Sequence, residues 1–112
     1  MTANVFVTQE VPFADYTDLE RFGEPVFLSA SEVSNVTDSL HNKKLMGLIR
    51  DRFAQYRPGV DFIAPSGSPI LSGLVFALAR EKGDTFMVLK WNNRDRKYTP
   101  IRISVKGEVG VN

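Results

Sequence analysis

Ser66, Gly67, Ser68 and Pro69 follow one another in an order that has a mechanical meaning. Pro69 suits the first position of a helix, because the N–H it lacks would be an orphan there. Ser68 suits the N-cap, where its hydroxyl accepts a backbone N–H. Gly67 permits positive φ and lets another group approach the backbone closely. A helix that starts just beyond a strand offers free N–H groups and the positive end of its dipole, which together hold a phosphate. The same four residues are also an ordinary helix cap, and both readings fit.

A second group lies further on: Lys90, Trp91, Asn92, Asn93, Arg94, Asp95, Arg96, Lys97 and Tyr98. Arginine binds phosphate oxygens in bidentate fashion. Trp91 and Tyr98 offer rings on which a base stacks, and the amides of Asn92 and Asn93 suit a base edge. The plain alternative is a solvated hairpin, with Trp91 anchored in the core because it directly follows an apolar strand. A third candidate, Arg57, precedes Pro58. It either reaches toward the same strand ends or, as the simpler reading has it, satisfies the carbonyls and dipole at a helix C-terminus.

Catalysis finds little support. The chain has no cysteine and one histidine, His41, which falls on a polar helix start and reads as surface. Thiolate chemistry, disulfides and paired-histidine metal cages are therefore excluded, while an oxygen-ligand metal site is not. Asp15, Asp18 and Glu20 have no metal-loop spacing. Ser66-Gly67-Ser68 lacks both the glycine spacing of a nucleophile elbow and the Gly-Lys-Ser/Thr ending of a nucleotide-hydrolysing loop. Anion binding without a general base points to capture rather than turnover, with no cofactor.

The 112 residues suit one α/β domain, residues 1–112. Apolar residues make up 43% and charged residues 24%, as in ordinary globular chains, and the net charge of +1 is too small for wholesale duplex binding. No apolar run reaches the roughly 18–20 residues of a membrane-spanning helix. The N-terminus does not read as a signal peptide, so the protein is expected in the cytoplasm.

The elements that must position these groups follow from periodicity. Val5 to Thr8 and Pro25 to Ser29 read as strands. Between them, Ala14 to Phe22 is a polar-rich stretch with one or two helical turns, stopped by Gly23. Ser31 to Ser39 is a loop, long enough for a lid or a partner-facing segment. Leu45, Leu48, Ile49, Phe53 and Tyr56 mark an amphipathic helix over roughly residues 40–56, stopped by Pro58-Gly59. Val60 to Ala64 is a strand. Pro69 to Arg80 is a helix so apolar that it belongs between layers or at a subunit interface. Thr85 to Leu89 is a strand, Asn92 to Asp95 a turn, and Tyr98 to Val105 the last strand, with Gly-rich sequence after Lys106. The order ββαβαββ implies a small mixed sheet: parallel strands through two βαβ units, then a C-terminal antiparallel hairpin whose last strand half-exposes a polar face.

Taken together, Val5-Phe6-Val7-Thr8 reaching Val11-Pro12, Phe22 to Leu28, Asp61-Phe62-Ile63 leading to Gly67-Ser68-Pro69, and Val88 to Asn92 with Arg94, Arg96 and Tyr98 resemble a group of short phage proteins, the Thoeris anti-defence sponge family in its first-described type. The similarity runs over most of residues 4–105. It implies a phage protein that sequesters a cyclic ADP-ribose-type signal made by a bacterial TIR-domain enzyme, acting as a homodimer or higher homo-oligomer.

The expected ligand-binding set, taken from the chemistry of the residues, is Arg57, Ser66, Gly67, Ser68, Lys90, Trp91, Asn92, Arg94 and Arg96. A phage accessory enzyme using the Ser66–Ser68 turn, or a nucleic-acid-binding protein using the basic hairpin, is the alternative. A membrane is not an expected partner.

Overall fold

The computed structural model describes residues 2–106, so the Gly-rich sequence expected after Lys106 lies outside the described residues. The elements run β1 (Asn4–Val7), a short 3₁₀ helix (Thr17–Arg21), β2 (Glu24–Phe27), α1 (Leu40–Phe53), β3 (Phe62–Ala64), α2 (Pro69–Arg80), β4 (Thr85–Asn92) and β5 (Lys97–Ser104). They form one five-stranded sheet in the order β2-β1-β3-β4-β5. The first four strands are parallel, and β5 runs antiparallel to β4. The small mixed α/β sheet, its two helices and its terminal hairpin are those expected from the sequence.

Alternation along β1 assigns the two faces. Phe6 joins Ile63, Phe86 and Val88 under the buried helix residues Leu45, Ile49 and Phe53 of α1 and Leu71, Val75 and Ala79 of α2. Val5 and Val7 face the other way, onto Leu19 of the 3₁₀ helix with Ala64, Leu89 and Tyr98. A strand buried on both faces reads as a continuous apolar run, as Val5-Phe6-Val7 does. The chain steps outward from β1 to β2, then α1 carries it back past β1 to β3. The winding direction therefore reverses between β1 and β3, the place where open α/β sheets hold ligands.

Helix α1 ends earlier than its periodicity suggests. The Arg57 N–H is drawn to the Asp61 Oδ2 at 2.8 Å, and Pro58 disfavours helix at the residue before it. Lys82 Nζ donates to the carbonyls of Ala54 and Tyr56 left behind. Conversely, β4 extends beyond Leu89 to Asn92, because Trp91 and Asn92 pair with Tyr98 and Lys97. The Ser31–Ser39 loop is tied down: Asn42 accepts from the Ser34 N–H at 2.7 Å and donates to its carbonyl at 3.0 Å, and Gln9 Nε2 donates to Ser31 O.

The last strand departs from expectation. Ile101 and Ile103 are 38% and 43% exposed, because α1 and α2 cover β1, β3 and β4 and stop short of this edge. Arg102 on the opposite face is exposed as well. Both faces of β5 beyond Tyr98 therefore meet solvent, rather than the polar one alone.

Candidate functional site

Thr8 and Gln9 leave the end of β1 beside Pro65 to Ser68 at the end of β3. Thr8 continues the strand pairing with its side chain. Its Oγ1 accepts the Ser66 N–H and donates to the Ser66 carbonyl, both at 2.8 Å. Ser72 on α2 lies 3.1 Å from the same oxygen. Gln9 is 3% exposed. Its Oε1 accepts the Ser68 N–H at 2.6 Å.

This arrangement decides much of the Ser66–Pro69 turn. Ser68 is the N-cap of α2, its Oγ accepting the Ile70 N–H at 3.2 Å, and Pro69 opens the helix. Gly67 has φ +76°, and a Cβ there would lie 2.0 Å from Gln9 Oε1. Glycine is thus required by the chain's own glutamine. The Ser68 N–H is thus bound by Gln9 while the Ser68 hydroxyl caps α2.

Ser66 belongs to a different wall. Its Oγ lies 2.9 Å from the Tyr16 hydroxyl, which also accepts the Val11 N–H at 2.8 Å. Beside this pair a cavity of ≈ 390 Å³ opens, lined by Ser66, Tyr16, Trp91, Tyr98, Asp15 and Arg96, with Phe13 at its margin. Trp91 and Tyr98 are cross-strand neighbours with ring centroids 4.9 Å apart. Such a pair presents aromatic surface as a rigid unit. Trp91 Nε1 donates to Asn93 Oδ1 at 3.3 Å. Arg96 closes the hairpin with φ +53°.

The electrostatics of this cavity are mixed. Burial pushes the Tyr98 hydroxyl up to about 12, helped by the neighbouring Tyr16, Asp15 and Asp18. It therefore stays protonated at neutral pH. The Asp15 carboxyl is held below the usual 3.8 by the Thr17 backbone N–H, its side-chain contact with Thr17 and, more weakly, the Arg96 charge. The cavity thus carries an anion, a cation, hydroxyls and aromatic faces.

Other expected residues go elsewhere. Gly67 and Ser68 line a separate cavity with Gln9, Glu32 and Ile70. Lys90, Asn92 and Arg94 line a depression of ≈ 490 Å³ with Thr99 and Ile101, which shares only Trp91 and Asn93 with the Tyr98 cavity. Asn92 serves the turn: its Oδ1 accepts the Arg94 N–H at 3.1 Å and its Nδ2 donates to Asp95.

Arg57 is at the opposite end of the sheet, which corrects the expectation that it reaches the same strand ends. It precedes β3, so it sits where the parallel strands begin. Its Nη2 and Nε donate to the fully buried Asp61 carboxylate at 2.7 and 3.1 Å, and the same carboxylate accepts the Asn4 N–H at 2.9 Å. Burial raises the Asp61 pKa, but the Arg57 hydrogen bonds and the backbone N–H groups of Asn4 and Arg57 outweigh it, leaving the group below its ordinary value.

Sequence reasoning missed Gln9, Phe13, Asp15 and Tyr16. The one local signal was Pro12-Phe13, a large ring directly after a turn-forming proline. His41 Nε2 donates to the Glu32 carbonyl at 2.7 Å and does not line the Trp91 cavity. Among the described residues, no group of three or more His, Asp or Glu side chains converges on a metal-sized point.

A family model described as phage Pam3 gp32-like protein matches residues 3–105. The chain belongs to this phage protein family. The match takes in every strand and both helices of this family member, including the β1–β3 switch point and the Trp91–Tyr98 hairpin. No curated protein and no solved structure matches it. No described helix is long and apolar enough to cross a membrane.

Proposed function

We propose that this phage-family protein is a non-catalytic binder that captures a cyclic ADP-ribose-type nucleotide made by bacterial TIR enzymes and withholds it from the host defence. The observation that carries this reading is the cavity at the sheet's carboxyl end, where Trp91, backed by the buried Tyr98, supplies a ring face, Arg96 a phosphate partner and Ser66 a hydroxyl. Rings and a cation in one concave site match a base joined to phosphate. The resemblance to the Thoeris sponges supports the choice of ligand. Capture takes place in the cytoplasm of the host cell.

The Ser66 hydroxyl is engaged with Tyr16 rather than with a base, which favours holding over turnover. Exposed Ile70, Ile101 and Ile103 support assembly into a homodimer or larger homo-oligomer, read by light scattering at micromolar concentration.

The test incubates the protein with cyclic ADP-ribose and its isomers, removes free ligand, denatures the protein and assays the supernatant. Release of intact nucleotide, lost in Arg96→Ala and Trp91→Ala, is the expected result. Release of a converted product makes the protein an enzyme instead. Absence of binding to all isomers removes the proposal.

A further inference from the structure

Phe13 combines two costs that folded proteins normally avoid. Its ring is fully exposed, at 106% of the reference area, and its backbone has φ +66°. The Ala14 N–H donates to the Val11 carbonyl at 3.3 Å, so Val11 to Ala14 form a β-turn with Pro12 at the second position and Phe13 at the third. A turn with proline second and positive φ third is the type II arrangement, whose third position belongs to glycine or asparagine. The bulky residue there is strained, and its ring gains no burial in exchange.

The placement of that strain is specific. The turn is fastened to the cavity wall, because the Tyr16 hydroxyl accepts the Val11 N–H and contacts Ser66 Oγ. Phe13 is thereby held at the margin of the cavity whose wall contains Trp91 and Tyr98. Strain that persists where the surrounding contacts over-determine it is characteristic of binding sites.

We infer that Phe13 is a ligand-contacting residue: it closes over a planar heteroaromatic ring that lies in the Trp91 cavity, so the site selects ligands carrying a base over bare sugar phosphates. This rests on the nucleotide-binding reading above and adds the residue that sets its selectivity. Burying the Phe13 ring against a ligand supplies the apolar contact that the exposed ring lacks. Stacking one face of a base on an aromatic side chain is sequence-tolerant, so the clamp reads planarity and leaves the phosphate to Arg96.

The experiment measures affinity for cyclic ADP-ribose and for ribose 5-phosphate by quenching of Trp91, the only tryptophan, with calorimetry alongside. Phe13→Ala is expected to weaken cyclic ADP-ribose about tenfold and leave ribose 5-phosphate unchanged. Phe13→Trp is expected to keep the affinity. Phe13→Gly is expected to lose it like the alanine variant while raising Tm by about 5 °C, because glycine tolerates this φ. The ring is free of core contacts, so each variant folds. Phe13→Ala with unchanged affinity for cyclic ADP-ribose overturns the inference alone and leaves the ring to a protein partner. Equal losses for both ligands overturn it too. A wild-type protein that binds neither cyclic ADP-ribose nor its isomers overturns both this inference and the capture reading.

Discussion

Replacing Gly67 by alanine tests the central contact of the switch point. The new Cβ would sit 2.0 Å from Gln9 Oε1 and 2.7 Å from its Cδ, in a residue with φ +76°. Placing a non-glycine residue in the left-handed region costs about 1–2 kcal/mol. The clash is relieved only by swinging the Gln9 amide away, which breaks its bonds to the Ser68 N–H and the Ser31 carbonyl. Two such hydrogen bonds contribute a further amount of about 1–2 kcal/mol. Gly67→Ala should therefore lose about 2–4 kcal/mol, or about 8–16 °C in Tm for a chain of this length. Urea unfolding followed by Trp91 fluorescence gives the value, provided the slope m stays constant. The decisive comparison adds Gln9→Ala. The double variant has already lost the amide, so the two costs should fall short of additivity by about 1–2 kcal/mol. Full additivity, or a Gly67→Ala protein as stable as wild type, would refute the reasoning.

Three further outcomes are expected. Ser68→Ala should cost about 1 kcal/mol of stability through loss of the α2 cap while leaving nucleotide affinity unchanged, since Ser68 does not line the Trp91 cavity; a selective loss of affinity at unchanged stability would restore the phosphate-turn reading. Asp61→Asn should cost about 2–3 kcal/mol by leaving Arg57 and two backbone N–H groups poorly matched. Because the folded Asp61 pKa lies below 3.8, the unfolded chain takes up the proton first. The carboxylate's contribution is present above about pH 4 and fades as pH falls through the folded value, so the acid limb of Tm against pH should flatten in the asparagine variant. Tyr98 gives the opposite sign: its hydroxyl ionises near 10 when unfolded and at about 12 when folded. Its contribution is present below pH 10 and is lost as pH rises from 10 to 12, and Tyr98→Phe should remove that part of the alkaline fall.

The sequence carried the framework because its signals are local. Val5 to Val7 is apolar throughout and becomes a central strand. Ser68-Pro69 marks the first turn of α2, and Leu71, Val75 and Ala79 supply its buried stripe. Arg57 shows the limit of adjacency: it stands near β3 in the chain, but before it, and a parallel sheet sends residues before and after a strand to opposite ends. Gln9 occupies the turn it was never linked to, because a contact spanning 59 positions has no periodic trace. The exposure of Ile101 and Ile103 depends on how far α1 and α2 extend across the sheet, which alternation within β5 does not encode.

The 3₁₀ helix has a consequence for how the protein is made. Asp18 Oδ2 accepts the Tyr98 N–H at 2.7 Å, and Arg21 Nη2 donates to the Tyr98 carbonyl at 2.6 Å. Two side chains thus stand where a sixth strand would pair, joining positions 80 and 77 residues apart. The same helix packs Leu19 between β1 and the hairpin. A growing chain emerges N-terminus first, so residues 17–21 leave the ribosome long before their partner exists. The sheet face that packs on Leu19 cannot close until the hairpin has been synthesised and released. Docking of the 3₁₀ helix therefore waits for the hairpin, whose own contacts are local.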